Sequence, residues 1–394
     1  MTQTKTGVRT SVSTGTVLAG FFLSGFLFAF PGAILPAWGA HRDPPAFLTV
    51  GNYFLCLAAG MVLAGWIFQR LLRWGVPVLL GTASLLGCGA LLYLAAVSPP
   101  AAAAWRMPGL AVLGLAGGLL TTGLFHGASA GYHDDPARSV IVGGLLYGLG
   151  CLAATLAVAG TFYAYTVPSM LILMAAVPGL YAGVFFRAQI PAADPAGQPS
   201  LRQALRDFRS PGAVLFALLL FFQFGNEWAL AGWLPLFVIR RLGASPKVAL
   251  TILALYWLAL LVGRGVAVYL LPRVRHGRIL VQSVLAAIFG VLLLYSTNNA
   301  FGAGVGAVVV GCGFAAIYPL VAEKIGRRFP YFHPAFFSGI FTLAGLGGLL
   351  APATLGYYAH FAGIGVVMAL PALGTWMVLA LLLLIWLETR LSGQ

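Results

Sequence analysis

Three polar residues stand close together inside a long apolar stretch of this sequence, and one of them is acidic. Gln223, Asn226 and Glu227 fall within a hydrophobic run that starts near Pro211 and continues past Leu236. Their i, i+3 and i+4 spacing places all three on one face of a helix. Glu227 is the only acidic residue deep within such a run, where an ionised carboxylate costs at least ~2.5–3.5 kcal/mol. Residues of this kind face a cavity or a partner, so the pattern predicts a polar solute site.

A carboxyl group at that depth can take up and release a proton during a transport cycle, and this is the first interpretation of Glu227. Trp228 and Trp233 add aromatic surface beside it for binding a solute. Gly232 and Pro235 mark positions where the helix could bend or open. The alternative for Glu227 is structural, with a protonated side chain that ties its helix to a neighbouring one.

Other residues in apolar runs are candidates for the same solute path. Asn52, Tyr53 and Trp257 offer hydrogen-bonding or stacking groups, with helix packing as the alternative role. His126 is second to Glu227 as a proton carrier, because an imidazole titrates near neutral pH. A hydrogen-bonded packing histidine is the alternative for His126.

The composition excludes a soluble domain. The 394 residues are 60% hydrophobic and only 8% charged, which is too little charge to cover a soluble surface. The net charge of +14 lies between apolar runs, so membrane topology explains it better than nucleic-acid binding does. The four cysteines have no CxxC spacing and no His or Asp cluster beside them. We therefore expect no nucleic-acid partner, no metal and no cofactor.

The apolar runs predict an all-α integral membrane protein with twelve transmembrane helices in two pseudo-symmetric six-helix bundles. Each run is near the ~20 residues that cross a bilayer. The predicted bundles are 1–188 and 211–394, joined by a cytoplasmic linker at 189–210 that is rich in proline and arginine. Gly65 is followed by an arginine eight residues later, and Gly265 repeats this spacing in the second half. Internal duplication of this kind is common in secondary transporters, which place their site near the midplane between the repeats.

Lysine and arginine are distributed unequally between the two sides of the membrane. With the N-terminus inside, sixteen of the 22 fall on the inner side and five on the outer side. This predicts a multi-pass protein of a bacterial inner membrane with both termini in the cytoplasm. The remaining one, Arg264, lies inside a span near its inner end. There we expect it to snorkel to the interface or pair with a helix terminus, a conformational role rather than solute binding.

The sequence also limits the energy source and the class of protein. It has no GxxxxGK[ST] phosphate loop, no HExxH and no Ser/His/Asp spacing, so neither ATP-driven transport nor an enzyme is expected. The remaining interpretation is a secondary active transporter that moves a small polar solute such as a sugar by alternating access, with proton coupling through Glu227. We expect it to act as a monomer among membrane lipids. The alternative is a proton-driven exporter of amphipathic compounds, drugs or lipids.

The loop after the second span resembles a motif of the major facilitator superfamily, and the resemblance extends over essentially the whole chain. That motif is a glycine, three residues, Asp-Arg, one residue and Gly-Arg. Gly65, Arg70 and Arg73 match it, whereas Gln69 and Leu72 stand where the family has aspartate and glycine. The resemblance implies twelve helices, alternating access, and a role for this loop in locking one conformation.

Two further places carry the resemblance. Residues 345–356, with Pro352, look like the glycine- and proline-rich eleventh span, and Glu227 followed by Gly-Trp-Leu-Pro235 is similar to the seventh span of the fucose–galactose–glucose:proton symporter branch. The resemblance implies a conformational role for both prolines and a proton-coupled solute. In that branch the first and fourth spans carry carboxylates, but here neither does, and the fourth has His126. Glu227 is therefore the first candidate for the proton, with uniport as an alternative.

Overall fold

Helices account for the regular structure in the described part of the chain. The computed structural model describes residues 3–134, 136–190, 209–270, 273–328 and 334–391. Twelve α-helices lie in these ranges, with one short 3-10 helix at Ala103–Trp105. In chain order they are α1 Gln3–Ile34, α2 Phe47–Leu72, α3 Val76–Ala96, α4 Arg106–Asp134, α5 Pro136–Thr161, α6 Val167–Arg187, α7 Pro211–Leu242, α8 Pro246–Leu270, α9 His276–Ser296, α10 Ala300–Arg328, α11 Pro334–Ala362 and α12 Val366–Leu391.

The lengths and composition of these helices identify them as membrane spans. Among the described residues, eleven helices are long and apolar enough to cross a bilayer. The remaining helix, α11, has 29 residues, which at about 1.5 Å per residue exceeds the hydrocarbon thickness of about 30 Å. The prediction of an all-α integral membrane protein with twelve transmembrane helices is therefore confirmed.

The chain forms two compact units, Met1–Ala193 and Asp194–Gln394, each with six of the described helices. In the first unit α1 packs on α5, α2 on α4, and α3 on both α4 and α6. The second unit repeats three of these pairings as α7 with α11, α8 with α10, and α9 with α10. The counterpart of the α3–α6 pairing would be α9 with α12, but α12 packs more on α7 than on α9. Most of the predicted linker at 189–210 lies outside the described residues, which omit 191–208.

Buried glycines let equivalent helix pairs approach closely in both units. A Cβ atom added at Gly150 of α5 would overlap the carbonyl oxygen of Phe22 on α1. A Cβ atom added at Gly347 of α11 would overlap the carbonyl oxygen of Phe221 on α7. Small residues at such positions bring two backbones together in a membrane, where packing drives helix association. The two units therefore share a mode of packing as well as an order of helices.

A second matched pair of glycines supports the same repeat. Gly114 of α4 lies against α2, and Gly311 of α10 lies against α8, each facing a backbone carbonyl of the partner helix. By contrast, Gly65 and Gly265 are exposed, and a Cβ atom at either would meet nothing within 4 Å. The sequence spacing that suggested duplication thus falls on open helix faces, and the buried glycines carry the structural repeat.

Candidate functional site

The polar residues of the central stretch lie on α7, which spans Pro211–Leu242. Ser210 caps its N-terminus by accepting a hydrogen bond from a backbone N–H of the first turn. Gly243 ends the helix in the left-handed conformation, with φ of 65°. The helix is continuous through Gly232 and Pro235, both of them buried. The helix is therefore not interrupted at these two residues, and a bend there stays a prediction.

Gln223 and Glu227 form a buried pair one helical turn apart on α7. Gln223 is fully buried, and Glu227 is 5% exposed. The amide nitrogen of Gln223 donates a 2.8 Å hydrogen bond to Oε1 of Glu227. The amide oxygen of Gln223 is also buried and has no hydrogen-bond partner among the described residues. The pair thus combines a carboxyl that can exchange a proton with an acceptor that is free to bind a donor.

Arg264 on α8 brings positive charge to this pair. The residue is 6% exposed, and its guanidinium interacts electrostatically with the Glu227 carboxyl. The expectation that Arg264 snorkels to the interface is therefore wrong, because the side chain is buried where an opposite charge offsets its desolvation. The Glu227 carboxyl thus lies near a hydrogen-bond donor and a positive charge, the two kinds of group that stabilise a buried carboxylate.

Asn226 contacts α12 rather than Gln223. Its amide nitrogen donates to Thr375 Oγ1 at 3.4 Å, and the Thr375 hydroxyl in turn donates to the Pro371 carbonyl oxygen at 2.6 Å. The amide oxygen of Asn226 occupies the space that a Cβ atom at Gly374 would need. These contacts join α7 to α12. Asn226 thus contacts a neighbouring helix, and its role in solute binding stays a prediction.

The three predicted tryptophans take different positions in the second unit. Trp233 is fully buried, and its indole N–H donates a 2.8 Å hydrogen bond to the Pro352 carbonyl oxygen of α11. It therefore links two helices, and the solute-binding role predicted for it stays a prediction. Trp228 is half-buried, with its ring beside Gly348. Trp257 is 3% exposed, and its indole N–H has no hydrogen-bond partner among the described residues, so it stays a candidate for binding.

Tyr53 lies in a buried cluster around Arg106, the first residue of α4. The Arg106 guanidinium donates to the Tyr53 hydroxyl at 3.0 Å and to the carbonyl oxygens of Val97 and Ala101. It also lies 5.3 Å from the centre of the Trp38 ring. Tyr53 is 4% exposed and contacts the start of α4, and its predicted role in solute binding stays a prediction. Sequence analysis missed this use of Arg106, although an arginine at the start of an apolar span was the available signal.

The two remaining polar candidates of the first unit are half-buried. Asn52 lies on α2, beside Tyr53 in the sequence, and His126 lies on α4. The His126 ring meets the Phe68 ring edge-on with centroids 6.1 Å apart. This contact fits the packing alternative for His126, and its use as a proton carrier stays a prediction.

The residues predicted to control conformation divide into exposed and buried groups. Gly65, Arg70 and Arg73 are exposed at the end of α2 and in the turn that follows. Pro235 and Pro352 are buried within continuous helices, α7 and α11. Pro352 also accepts the hydrogen bond from the Trp233 indole. The conformational roles of these residues stay predictions.

The acidic side chains described by the structure are dispersed. Asp43 lies in the loop after α1. Glu323, near the end of α10, pairs with an arginine at 2.5 Å, and Glu388, near the end of α12, pairs with another at 2.5 Å. Glu227 is therefore the one described acidic side chain in the middle of a membrane-spanning helix. No three His, Cys, Asp or Glu side chains in the described ranges are grouped so that they could hold a metal ion.

Comparisons with known proteins agree with this architecture. Residues 137–352, more than half of the chain, match the family model of the Major Facilitator Superfamily. A Yersinia pestis protein described as an uncharacterized MFS-type transporter is 23% identical over 385 residues, covering 93% of both chains.

Two solved structures share the fold over nearly their whole length. The MFS transporter FucP in its outward conformation has a TM-score of 0.62 at 16% identity, with 94% of this chain and 98% of that chain covered. The same protein is described elsewhere as the E. coli fucose:proton symporter. The nucleoside transporter NupG has a TM-score of 0.67 at 12% identity, with 95% and 98% covered. At these identities the similarity establishes the fold and leaves the solute to be argued separately.

Proposed function

The chain belongs to the major facilitator superfamily, and we propose that it is a secondary active transporter that moves a small polar solute together with a proton. Glu227 carries the proton in this proposal, and alternating access carries the solute across the membrane. The observation that supports it most is the burial of the Glu227 carboxyl in the middle of α7, next to Gln223 and Arg264.

The need for a proton follows from charge. A carboxylate that interacts electrostatically with a buried arginine is tolerable at rest, but a large movement of the surrounding helices changes its environment. Taking up a proton lets Glu227 pass through such a change as a neutral group. If solute binding is more favourable when the proton is bound, the two are carried together, because the coupling between two ligands is reciprocal.

The class of solute is proposed from both the site and the structural neighbours. Gln223 offers an acceptor and Trp257 a donor, each buried and without a partner among the described residues. Such groups recognise a neutral solute with hydroxyl or carbonyl groups. Fucose and nucleosides, named for the two structural neighbours, are solutes of this kind. We therefore propose a neutral, hydroxyl-bearing solute such as a sugar.

We further propose that the protein is a monomer in a bacterial inner membrane, with both termini in the cytoplasm. The unequal distribution of lysine and arginine supports this orientation. Single cysteines placed at the two termini should react with a membrane-impermeant thiol reagent only after the cells are opened. Reaction in intact cells would show that the termini lie on the outer side, opposite to the proposed orientation.

Uptake into proteoliposomes tests the proposed function. The native protein, Glu227→Gln and the control Asp43→Asn are reconstituted with an inward proton gradient and given hexoses, nucleosides and a set of organic cations. The proposal predicts accumulation of a neutral solute by the native protein and by Asp43→Asn, and none by Glu227→Gln. If no neutral solute is transported and organic cations drive proton movement, the protein is instead an exporter.

A further inference from the structure

Gln223 has a second hydrogen-bonding atom that the pair with Glu227 does not use. Its amide nitrogen donates to Glu227 Oε1 at 2.8 Å, whereas its amide oxygen is buried without a partner among the described residues. Buried acceptors in native structures are nearly always satisfied, so an unsatisfied one calls for an explanation. Here the unsatisfied atom belongs to the same amide that contacts the candidate proton carrier.

The amide can meet Glu227 in two ways, and the protonation state of Glu227 selects between them. An ionised carboxylate only accepts hydrogen bonds, so it must face the amide N–H. A protonated carboxyl has an O–H to donate, and the amide oxygen is the nearest acceptor once the amide has turned. A rotation of about 180° about the terminal side-chain bond exchanges the positions of the amide nitrogen and the amide oxygen. The turned amide fits the same space, because the two terminal groups are nearly equal in size and shape.

We propose that Gln223 is the specificity-determining residue of the transport site, and that its amide turns over when Glu227 gains a proton. No covalent bond changes in Gln223 during this step. The proton joins a Glu227 carboxylate oxygen, and the resulting O–H donates to the Gln223 oxygen. The amide N–H groups then point to where the unsatisfied oxygen had been. This inference rests on the proposed function, because it assigns a recognition role within the same site.

The charged and titratable neighbours of Glu227 are compatible with such a switch. Of the helices packed on α7, α8 contributes Arg264, which acts on Glu227 electrostatically, and Tyr256. Helix α10 contributes Tyr318, whose ring lies 5.3 Å from that of Phe224 on α7. Helix α10 also carries the thiol of Cys312 near its middle, on an exposed side chain. The remaining charged and titratable groups on these helices lie nearer the helix ends: Lys247 and Tyr269 on α8; Glu323, Lys324, Arg327 and Arg328 on α10; Tyr357, Tyr358 and His360 on α11; Glu388 and Arg390 on α12. Arg264 keeps its charge in both states of Glu227, so the switch needs only one proton.

The switch determines which kind of solute atom is carried with the proton. When Glu227 is ionised, Gln223 presents an acceptor and favours a solute donor. When Glu227 is protonated, Gln223 presents N–H donors and favours a solute acceptor, such as a carbonyl, ether or hydroxyl oxygen. Symport requires tighter binding in the proton-loaded state. The solute atom that faces Gln223 is therefore an oxygen that accepts a hydrogen bond.

Infrared difference spectroscopy tests the amide rotation without any solute. The full-length protein is labelled with carbon-13 at the glutamine side-chain carbonyl and titrated between alkaline and acidic pH. The native protein should gain a protonated carboxyl band that is lost in Glu227→Gln. Together with that band, one labelled amide carbonyl should shift as it becomes hydrogen-bonded, and this shift should vanish in Gln223→Met. Gln282→Met is the matched control, because Gln282 is exposed on α9, and it should keep the shift.

The two possible failures are distinguishable. If the carboxyl band titrates but no labelled amide carbonyl band shifts, the proposed amide rotation is wrong. Glu227 then remains the proton carrier. If Glu227→Gln keeps the full carboxyl band, the proposed function itself fails, because the titrating acid is then another residue.

Binding measurements with deoxy and deoxyfluoro analogues of a transported hexose test the specificity. Fluorine accepts hydrogen bonds weakly but cannot donate them, so it imitates the solute acceptor alone. At one ring position we expect the fluoro analogue to bind about tenfold more tightly at acidic than at alkaline pH, a size typical of coupling between two sites. This preference should disappear in Gln223→Met and persist in Gln282→Met. An equal pH preference in Gln223→Met would overturn the assignment.

Discussion

The Gln223 amide and the Glu227 carboxyl meet at 2.8 Å, one turn apart on α7, and both residues are buried. Arg264 on α8 adds an opposite charge to the same region. Hydrogen bonding and charge pairing together make an acidic residue tolerable in the middle of a membrane span. Two further residues of α7 that are predicted to bind solute, Asn226 and Trp233, donate hydrogen bonds to α12 and α11.

The contact between α7 and α12 should be sensitive to one methyl group. In Gly374→Ala the added Cβ atom overlaps the Asn226 amide oxygen, and we expect a loss of about 1–3 kcal/mol in stability from overpacking. Thermal unfolding in detergent measures it. Adding Asn226→Ala should restore part of the loss, because the overlapping atom is then gone. Failure of this rescue would contradict the contact.

Where a glycine contacts the backbone of a neighbouring helix, a second substitution should not restore the lost stability, because no side-chain change removes a backbone carbonyl oxygen. Gly347→Ala on α11 and Gly150→Ala on α5 each place a Cβ atom against a carbonyl oxygen of the neighbouring helix. Both should lower the unfolding temperature. Gly89→Ala on α3 is the control, since its Cβ atom meets nothing within 4 Å, and it should be neutral or slightly stabilising because alanine favours helix. Equal stability of Gly347→Ala and Gly89→Ala would contradict the close approach.

The cluster around Arg106 predicts energetic coupling between two distant positions in the sequence. Tyr53→Phe removes the hydroxyl that accepts from the guanidinium at 3.0 Å, and Arg106→Met removes the donor. A double-mutant cycle on unfolding free energy should give a coupling of about 1.5–3 kcal/mol, as for hydrogen bonds to charged groups. Purely additive effects would show that the two side chains do not interact.

Two tryptophans should separate stability from binding. Trp233→Phe loses the hydrogen bond to the Pro352 carbonyl, so stability should fall by about 0.5–1.5 kcal/mol with solute affinity unchanged. Trp257→Phe removes a buried N–H that has no partner among the described residues, so affinity should fall with little loss of stability. Calorimetric binding and thermal unfolding of both variants check this. If Trp233→Phe lowered affinity and Trp257→Phe lowered stability, the roles assigned to the two tryptophans would be exchanged.

The membrane fold was predictable because the bilayer imposes one requirement on every span. Each helix needs about twenty apolar residues, and the sequence marks twelve such runs. The shared face of Gln223 and Glu227 also follows from helical spacing alone. These predictions concern residues that are near each other in the sequence.

The remaining features depend on partners far along the chain. Trp233 finds its partner at Pro352, and Tyr53 finds its partner at Arg106. No periodicity encodes such pairs, so both residues looked available for solute. Likewise, 51 glycines gave no indication that Gly347 faces a carbonyl on a neighbouring helix while Gly65 faces open space.

The central claim is that Glu227 couples proton movement to solute movement, and one measurement tests it most directly. A pH-sensitive dye inside proteoliposomes reports proton entry when the transported solute is added without a membrane potential. Native protein should acidify the lumen as solute enters. Glu227→Gln should show no acidification yet still exchange labelled for unlabelled solute, because it imitates the protonated carboxyl. Solute-driven acidification in Glu227→Gln would contradict the account.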